Sequence, residues 1–210
     1  MAFIVFEGLD GSGKSSLLRA LESLLQHKNI TFHRTREPGG TPLGEDLREI
    51  ILRRSQGAPG PRTELLLYEA SRAQHVDEVI RPQLKRGAWV LCDRFTASSI
   101  AFQAGGRSIR ISDVEWLNRF ATNGLEPDLT VLLDLETNEA KMRVDQRLRQ
   151  TGESADRMES EATAFHERVR SSFLQQAEGN PKKWLVLDAK LSPQELIAEL
   201  VSALRERGFL

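Results

Sequence analysis

The sequence predicts an α/β fold, a five-stranded parallel sheet with helices on both faces, and three observations predict it. Short apolar runs rich in strand formers alternate along the chain with stretches whose apolar residues recur at helical spacing. That alternation is the signature of right-handed strand–helix–strand crossovers and hence of a parallel sheet. Ala88-Trp89-Val90-Leu91-Cys92 is apolar without interruption, as a strand buried on both faces is. Finally, charged or glycine-rich segments follow the strands, at the edge where open parallel sheets gather their ligands. At 210 residues, with no internal repeat and no low-complexity linker, one domain spanning 1–210 is expected.

The elements follow in order. Ala2 to Phe6 is the first strand. Gly8 to Ser15 reads GLDGSGKS and matches G-x-x-x-x-G-K-[ST], a loop whose glycines let backbone N–H groups face phosphate oxygens. Leu17, Leu18, Leu21, Leu24 and Leu25 then mark a helix whose positive end points at the loop. Lys14 is expected on the β- and γ-phosphates and Ser15 on Mg²⁺. Ile30 to Thr35 is the second strand, closed by Arg36-Glu37-Pro38-Gly39-Gly40-Thr41, where Arg36 is either a ligand at the sheet edge or a solvated turn residue. Leu43, Leu47, Ile50 and Ile51 form a helical stripe that leads to a Gly/Pro loop at Gly57–Pro61. A long helix is expected from Arg62 to Arg86, kinked at Pro82. Tyr68 and Arg72 share one of its faces, fit either to stack on and donate to a flat base or to serve as a core tyrosine beside a surface arginine.

The strand Ala88–Cys92 ends in Asp93-Arg94, a phosphate-bridging pair or a salt-bridged cap. Thr96 to Gln103 is a short helix, and Val114 to Phe120 another with Ser112 as its N-cap. Leu129 to Leu133 is the fourth strand. Asn138 to Arg149 is a helix carrying Arg143, Arg147 and Arg149, after which Gln150 to Ala155 breaks regularity and Asp156 opens a returning helix. That segment, about 145–157, reads as a lid, its arginines reaching a site or lying in solvent. Trp184 to Leu187 is the fifth strand, and a last helix starts at Ser192 with Leu196, Ile197, Leu200, Val201 and Leu204 inward.

Composition narrows the function classes. Lys and Arg number 29 against 30 Asp and Glu, a net charge of −1, which is not the footprint of a nucleic-acid binder. No apolar stretch reaches a membrane span, and the N-terminus enters a strand at once instead of presenting a signal peptide. The single cysteine, Cys92, lies in an apolar run and reads as a small core residue in a reducing compartment. A cytoplasmic, soluble location is expected.

GLDGSGKS, TREPGGT from Thr35, DRFTASSIAFQAGGR from Asp93 and DRME from Asp156 together resemble the thymidylate kinases, almost end to end. The resemblance implies a P-loop kinase fold with a lid and phosphoryl transfer from ATP to dTMP, giving dTDP and ADP with Mg²⁺. It implies ATP on Gly8, Leu9, Asp10, Gly11, Ser12, Gly13, Lys14, Ser15 and Ser16, with Arg143 against adenine. For dTMP it implies Asp10 near the 3′-hydroxyl, Arg36 on the 5′-phosphate, and Tyr68, Arg72, Ser98, Ser99 and Gln103 around the base. Phe102 is expected beside C2′ of the sugar, or else as ordinary core. Arg94 would bridge the phosphates, Asp93 and Ser15 would meet the metal, and Lys14, Arg94 and Asp93 would carry catalysis. Some members of the family carry a catalytic arginine where this chain has Gly11, so the missing charge falls to Arg147, Arg149 or Arg157. A homodimer is also implied. Another P-loop nucleotide or nucleoside kinase is the alternative, and a nucleotide-dependent switch a more distant one; Asn138-Glu-Ala-Lys141 lacks the spacing of a guanine-binding signature.

Overall fold

The computed structural model describes residues 1–54 and 57–210. Five strands, β1 (Phe3–Glu7), β2 (Phe32–Arg36), β3 (Trp89–Asp93), β4 (Leu129–Asp134) and β5 (Trp184–Asp188), form one sheet in the order β2-β3-β1-β4-β5. Every pairing is parallel. The register sets Phe6 opposite Asp93 and Arg36 opposite the same Asp93, so the charged strand ends collect along one edge.

Alternation along β1 divides the core. Phe3 and Val5 join Val90, Cys92 and Phe95 against Val76 and Ile80. Ile4 and Phe6 turn the other way, with Leu91, toward Leu17, Leu18, Leu21 and Leu25 of α1 (Lys14–His27). The final helix, α9 (Pro193–Glu206), adds Leu196, Leu200 and Leu204 to that second cluster. Its start is fixed as the sequence implies: Ser192 accepts from the Glu195 N–H while the Glu195 carboxylate takes the Ser192 N–H. Cys92 is fully buried, in keeping with a packing role.

Between β2 and β3 run α2 (Pro42–Leu52), α3 (Pro61–His75) and α4 (Arg81–Lys85). The expected long helix is present but is not α-helical throughout, because a π-helical turn at Val76–Ile80 separates α3 from α4. Pro82 has no N–H to give to the preceding turn, and a widened turn just before it absorbs that loss without breaking the helix. In α2 only part of the apolar stripe is inward: Ile51 is buried, whereas Leu43 and Ile50 are 48% and 38% exposed.

After β3, α5 (Thr96–Ser99) continues into a π-helical stretch, Ile100–Gly106, and α6 covers Ile111–Thr122. Ser112 therefore lies inside the first turn of α6 and is not its cap; Arg110 holds that place, its guanidinium doubly bonded to Asp113. The lid region also departs from expectation. α7 (Thr137–Thr151) runs two residues past Arg149, and the returning helix, α8 (Thr163–Gly179), begins only at Thr163. Asp156 and Glu159 each accept the other's backbone N–H, at 2.9 and 3.1 Å, which closes a single turn that the extended Ala162 does not propagate.

Candidate active site

The site is built on the carboxyl edge of β1 and β3. β1 delivers the glycine-rich loop, and the loop must approach the sheet closely: a Cβ on Gly8, which has φ +134°, would stand 2.5 Å from the Leu133 carbonyl oxygen of β4. Gly13, at φ 96°, opens α1. Lys14 folds back over the loop, its Nζ donating to the Gly8 and Leu9 carbonyls at 3.1 Å each. Burial holds its pKa below the ordinary lysine value, and the neighbouring Arg94 adds to the effect. Ser12 Oγ is buried with no hydrogen-bond partner among the described residues.

A cavity of about 320 Å³ opens above this loop, lined by Gly11, Gly13, Lys14, Ser15 and Ser16 on one side and by Arg36, Asp93, Arg143 and Arg147 on the other. A second, of about 80 Å³, is lined by Tyr68, Ser98, Ser99, Phe102 and Gln103, with Leu52, Asp156 and Met158. Asp10, Glu37, Arg48 and Arg94 line both. Two arginines and two carboxylates thus stand where a larger polar space meets a smaller one walled by two rings, two hydroxyls and one amide.

Arg94 is the most constrained of these groups. Its backbone lies at φ +72°, a conformation of about 1–2 kcal/mol cost for a residue with a side chain. Nη2 donates to Asp10 Oδ1 at 2.9 Å and Nη1 to Ser98 Oγ at 3.3 Å, and the guanidinium carbon lies 5.0 Å from the centre of the Phe102 ring. Beneath it sits Glu7, fully buried, which accepts the Phe95 and Ser98 N–H groups at 2.9 and 3.1 Å and the Ser98 hydroxyl at 2.6 Å. Glu7 therefore caps α5 from another strand and fixes the turn that throws Arg94 forward. Burial raises the Glu7 pKa, against the pull of Arg94. At Asp10 burial pushes the same way, but Arg94 and Lys14 outweigh it and hold this carboxyl well below the usual carboxylate range.

The structure sorts the residues that the sequence singles out. Arg36 stands at the cavity edge, donating to Glu45 at 2.8 Å. Arg143 ties α7 to the loop after β5 by donating to Ala189 O at 3.0 Å. Arg147 lines the phosphate cavity, whereas Arg149 is exposed and lines neither cavity. Arg157 is turned away, with Nε on Ile51 O at 2.9 Å and Nη2 beside Glu64 at 2.7 Å. Arg72 is buried behind the smaller cavity, 1% exposed, where it bonds Glu37, Glu69, Ser99, Asn118 and the Phe95 carbonyl. It is therefore not the surface arginine of the alternative reading; it lines neither cavity and reaches the smaller one only through Glu37 and Ser99, which line it. Tyr68 and Phe102 both line the smaller cavity, and Phe102 also packs on Phe165 and Phe173. Phe102 is thus at once a lining residue of that cavity and part of the aromatic packing behind it.

The thymidylate kinase family model matches residues 6–200. The chain belongs to the thymidylate kinase family. It is similar to the thymidylate kinase of Bdellovibrio bacteriovorus, 61% identical over 210 residues that cover 100% of this chain and 98% of the relative. It is also similar to those of Pelotomaculum thermopropionicum, 44% identical with 97% and 93% covered, and Lacticaseibacillus casei, 43% identical with 98% and 95% covered. Within this family frame, sequence reasoning missed Glu7, Arg48 and Glu64. A carboxylate ending an apolar strand just before the loop could have drawn attention to Glu7. Arg48 sits among charged helical residues and carried no signal, although in the fold it donates to Pro38 O at 3.0 Å and lines both cavities.

Proposed function

We propose that the protein transfers the γ-phosphoryl group of ATP to dTMP, giving dTDP and ADP. The observation that carries this is the pair of adjoining cavities that meet at Asp10 and Arg94. The larger offers backbone amides, Lys14 and arginines to a polyphosphate, and the smaller offers an aromatic ring, hydroxyls and an amide to a base. A monophosphate whose base fills the smaller space would bring its phosphate to the shared boundary, next to a triphosphate on the loop. Phosphoryl transfer asks for positioning and charge neutralisation more than for covalent chemistry, and Arg94, Lys14, Arg36 and Arg147 supply positive charge around that boundary.

Arg94 is read as the bridge between donor and acceptor phosphates, with Asp10 and Glu7 aiming it. Arg147 is read as the lid arginine that compensates for Gly11, since it lines the phosphate cavity, Arg149 lines neither cavity and Arg157 is engaged with Glu64. Asp93 and Ser15 line the phosphate cavity together, a sparse set of hard oxygen donors that fits Mg²⁺, which keeps waters and binds phosphate oxygens. Bound there, the ion would neutralise charge on the phosphates; among the described residues no cluster of three or more acidic, histidine or cysteine groups offers a fuller cage.

We further read the protein as a cytoplasmic homodimer. No helix of the described residues is long and apolar enough to cross a membrane. α2, α3 and α6 expose Leu43, Ile50, Leu66, Trp116 and Phe120, the last two stacked 5.7 Å apart and 58% and 74% exposed. An exposed apolar face of that kind suits a second copy. Sedimentation at micromolar concentration should give twice the mass of the chain, and a monomer would remove this part of the reading. For the reaction itself, ADP release on adding dTMP to protein, ATP and Mg²⁺, with dTDP identified as product, supports the assignment. ADP release indifferent to dTMP overturns it.

A further inference from the structure

Glu64 lies in the first turn of α3, has no solvent exposure, and is absent from both cavities. Three side chains converge on its carboxylate. Gln103 Nε2 donates to Oε1 at 2.8 Å; Arg107 donates through Nε at 3.3 Å and Nη2 at 3.1 Å; Arg157 Nη2 stands 2.7 Å from Oε2, close as an ion pair but without the angle of a hydrogen bond. A carboxylate facing two guanidinium groups accepts on both oxygens and donates on neither. The amide of Gln103 therefore has one orientation at this contact, with nitrogen and not oxygen toward Glu64, which leaves the oxygen free to accept from a group in the smaller cavity that Gln103 lines. The same two arginines hold the foot of the lid, since Arg107 Nη1 also pairs with Glu161 at 2.6 Å and Arg157 belongs to that segment. From there Glu159 reaches back to Arg147 on the phosphate cavity.

We propose that Glu64 is a positioning residue with two outputs, locking the Gln103 amide so that the base edge must donate a hydrogen bond, and tying occupancy of the base cavity to the lid foot at 156–161. The inference rests on the dTMP kinase reading. A thymine ring offers an N–H at its imide nitrogen, whereas the corresponding nitrogen of cytosine is an acceptor and would face the Gln103 oxygen lone pair to lone pair. The two requirements share one carboxylate, so a neutral group at this position should release both. In the Glu64→Gln variant the neighbouring amide can turn over, and the two arginines lose their common counter-charge.

The test compares wild type and Glu64→Gln with dTMP and dCMP as acceptors, together with amide hydrogen exchange over residues 156–161 with and without dTMP. Glu64→Gln is expected to narrow the dTMP-to-dCMP ratio of kcat/KM by about tenfold or more. It should also abolish the slowing of exchange that dTMP produces in the wild type. An unchanged ratio with equal losses for both acceptors would reduce Glu64 to scaffolding and overturn the proposal, as would dTMP-induced protection surviving intact. Should Glu64→Gln not fold, Glu64→Asp keeps the charge for the arginines while drawing back from Gln103, and must still narrow the ratio. A wild type that does not phosphorylate dTMP would instead remove the underlying reading.

Discussion

Gly11 is where some thymidylate kinases place a charge in the loop, and the structure states what any side chain there would meet. Its backbone lies at φ +84°, and an added Cβ would stand 2.6 Å from the Ala140 carbonyl oxygen and 3.3 Å from Arg143 Cβ and Val144 Cγ2, all on α7. The left-handed backbone costs a side chain about 1–2 kcal/mol. The contact with a backbone oxygen adds roughly 1–3 kcal/mol, because either the loop or α7 must move. Gly11→Ala should therefore lose about 2–5 kcal/mol, or about 4–20 °C in melting temperature for a chain of this size. Gly152, at φ +71° beyond the end of α7, has nothing within 4 Å of an added Cβ, so Gly152→Ala incurs only the backbone term. Thermal melts of both variants isolate the contact, and kcat reads its consequence, since α7 carries Arg143 and Arg147. A Gly11→Arg side chain would meet the same α7 atoms, so Gly11→Arg is not expected to restore activity to an Arg147→Ala variant. Equal melting temperatures for the two alanine variants would show that α7 yields freely and that the reasoning is wrong.

Lys14→Ala should lower kcat by at least about 10²–10³-fold, the scale of losing a charged phosphate donor, while circular dichroism shows the fold retained. Arg147→Ala should lower kcat by a similar factor and Arg149→Ala by no more than about threefold, in steady-state assays at saturating ATP and dTMP; the reverse ranking would move the catalytic charge to Arg149. Glu7 titrates with its folded pKa raised by burial, so its ionisation opposes folding increasingly as pH rises from the unfolded value of 4.5 through the folded one. Urea unfolding of Glu7→Gln should accordingly improve relative to wild type across that rise, and a difference independent of pH would contradict the assignment.

What the sequence could show depended on how local the cause was. The five parallel strands, the loop and the start of the last helix near Ser192 were legible because the apolar runs, the glycine spacing and the helical stripe are each written within a few residues, whereas the strand order was not. Ser112 was misplaced because a serine before a helical stripe is only one way to start a helix, and here the helix already begins at Ile111. The π-helical turn before Pro82 has no pattern of its own. At the site, the residues that line cavities were mostly in recognisable strings, whereas those that aim them were not. Glu7 acts on Ser98 across 91 positions and Glu64 on Gln103 across 39, distances over which one sequence carries no pairing information. Among the lid arginines, spacing alone put Arg143 and Arg147 on one face, but only the fold turns Arg157 toward Glu64.

The most direct measurement is a panel of acceptors, dTMP, dUMP, dCMP, dGMP and AMP, each given to the purified protein with ATP and Mg²⁺ and compared by kcat/KM. The account predicts dTMP first, dUMP next, because it keeps the imide N–H, and the remaining three lower by several orders of magnitude. A purine monophosphate or dCMP phosphorylated as well as dTMP would contradict it.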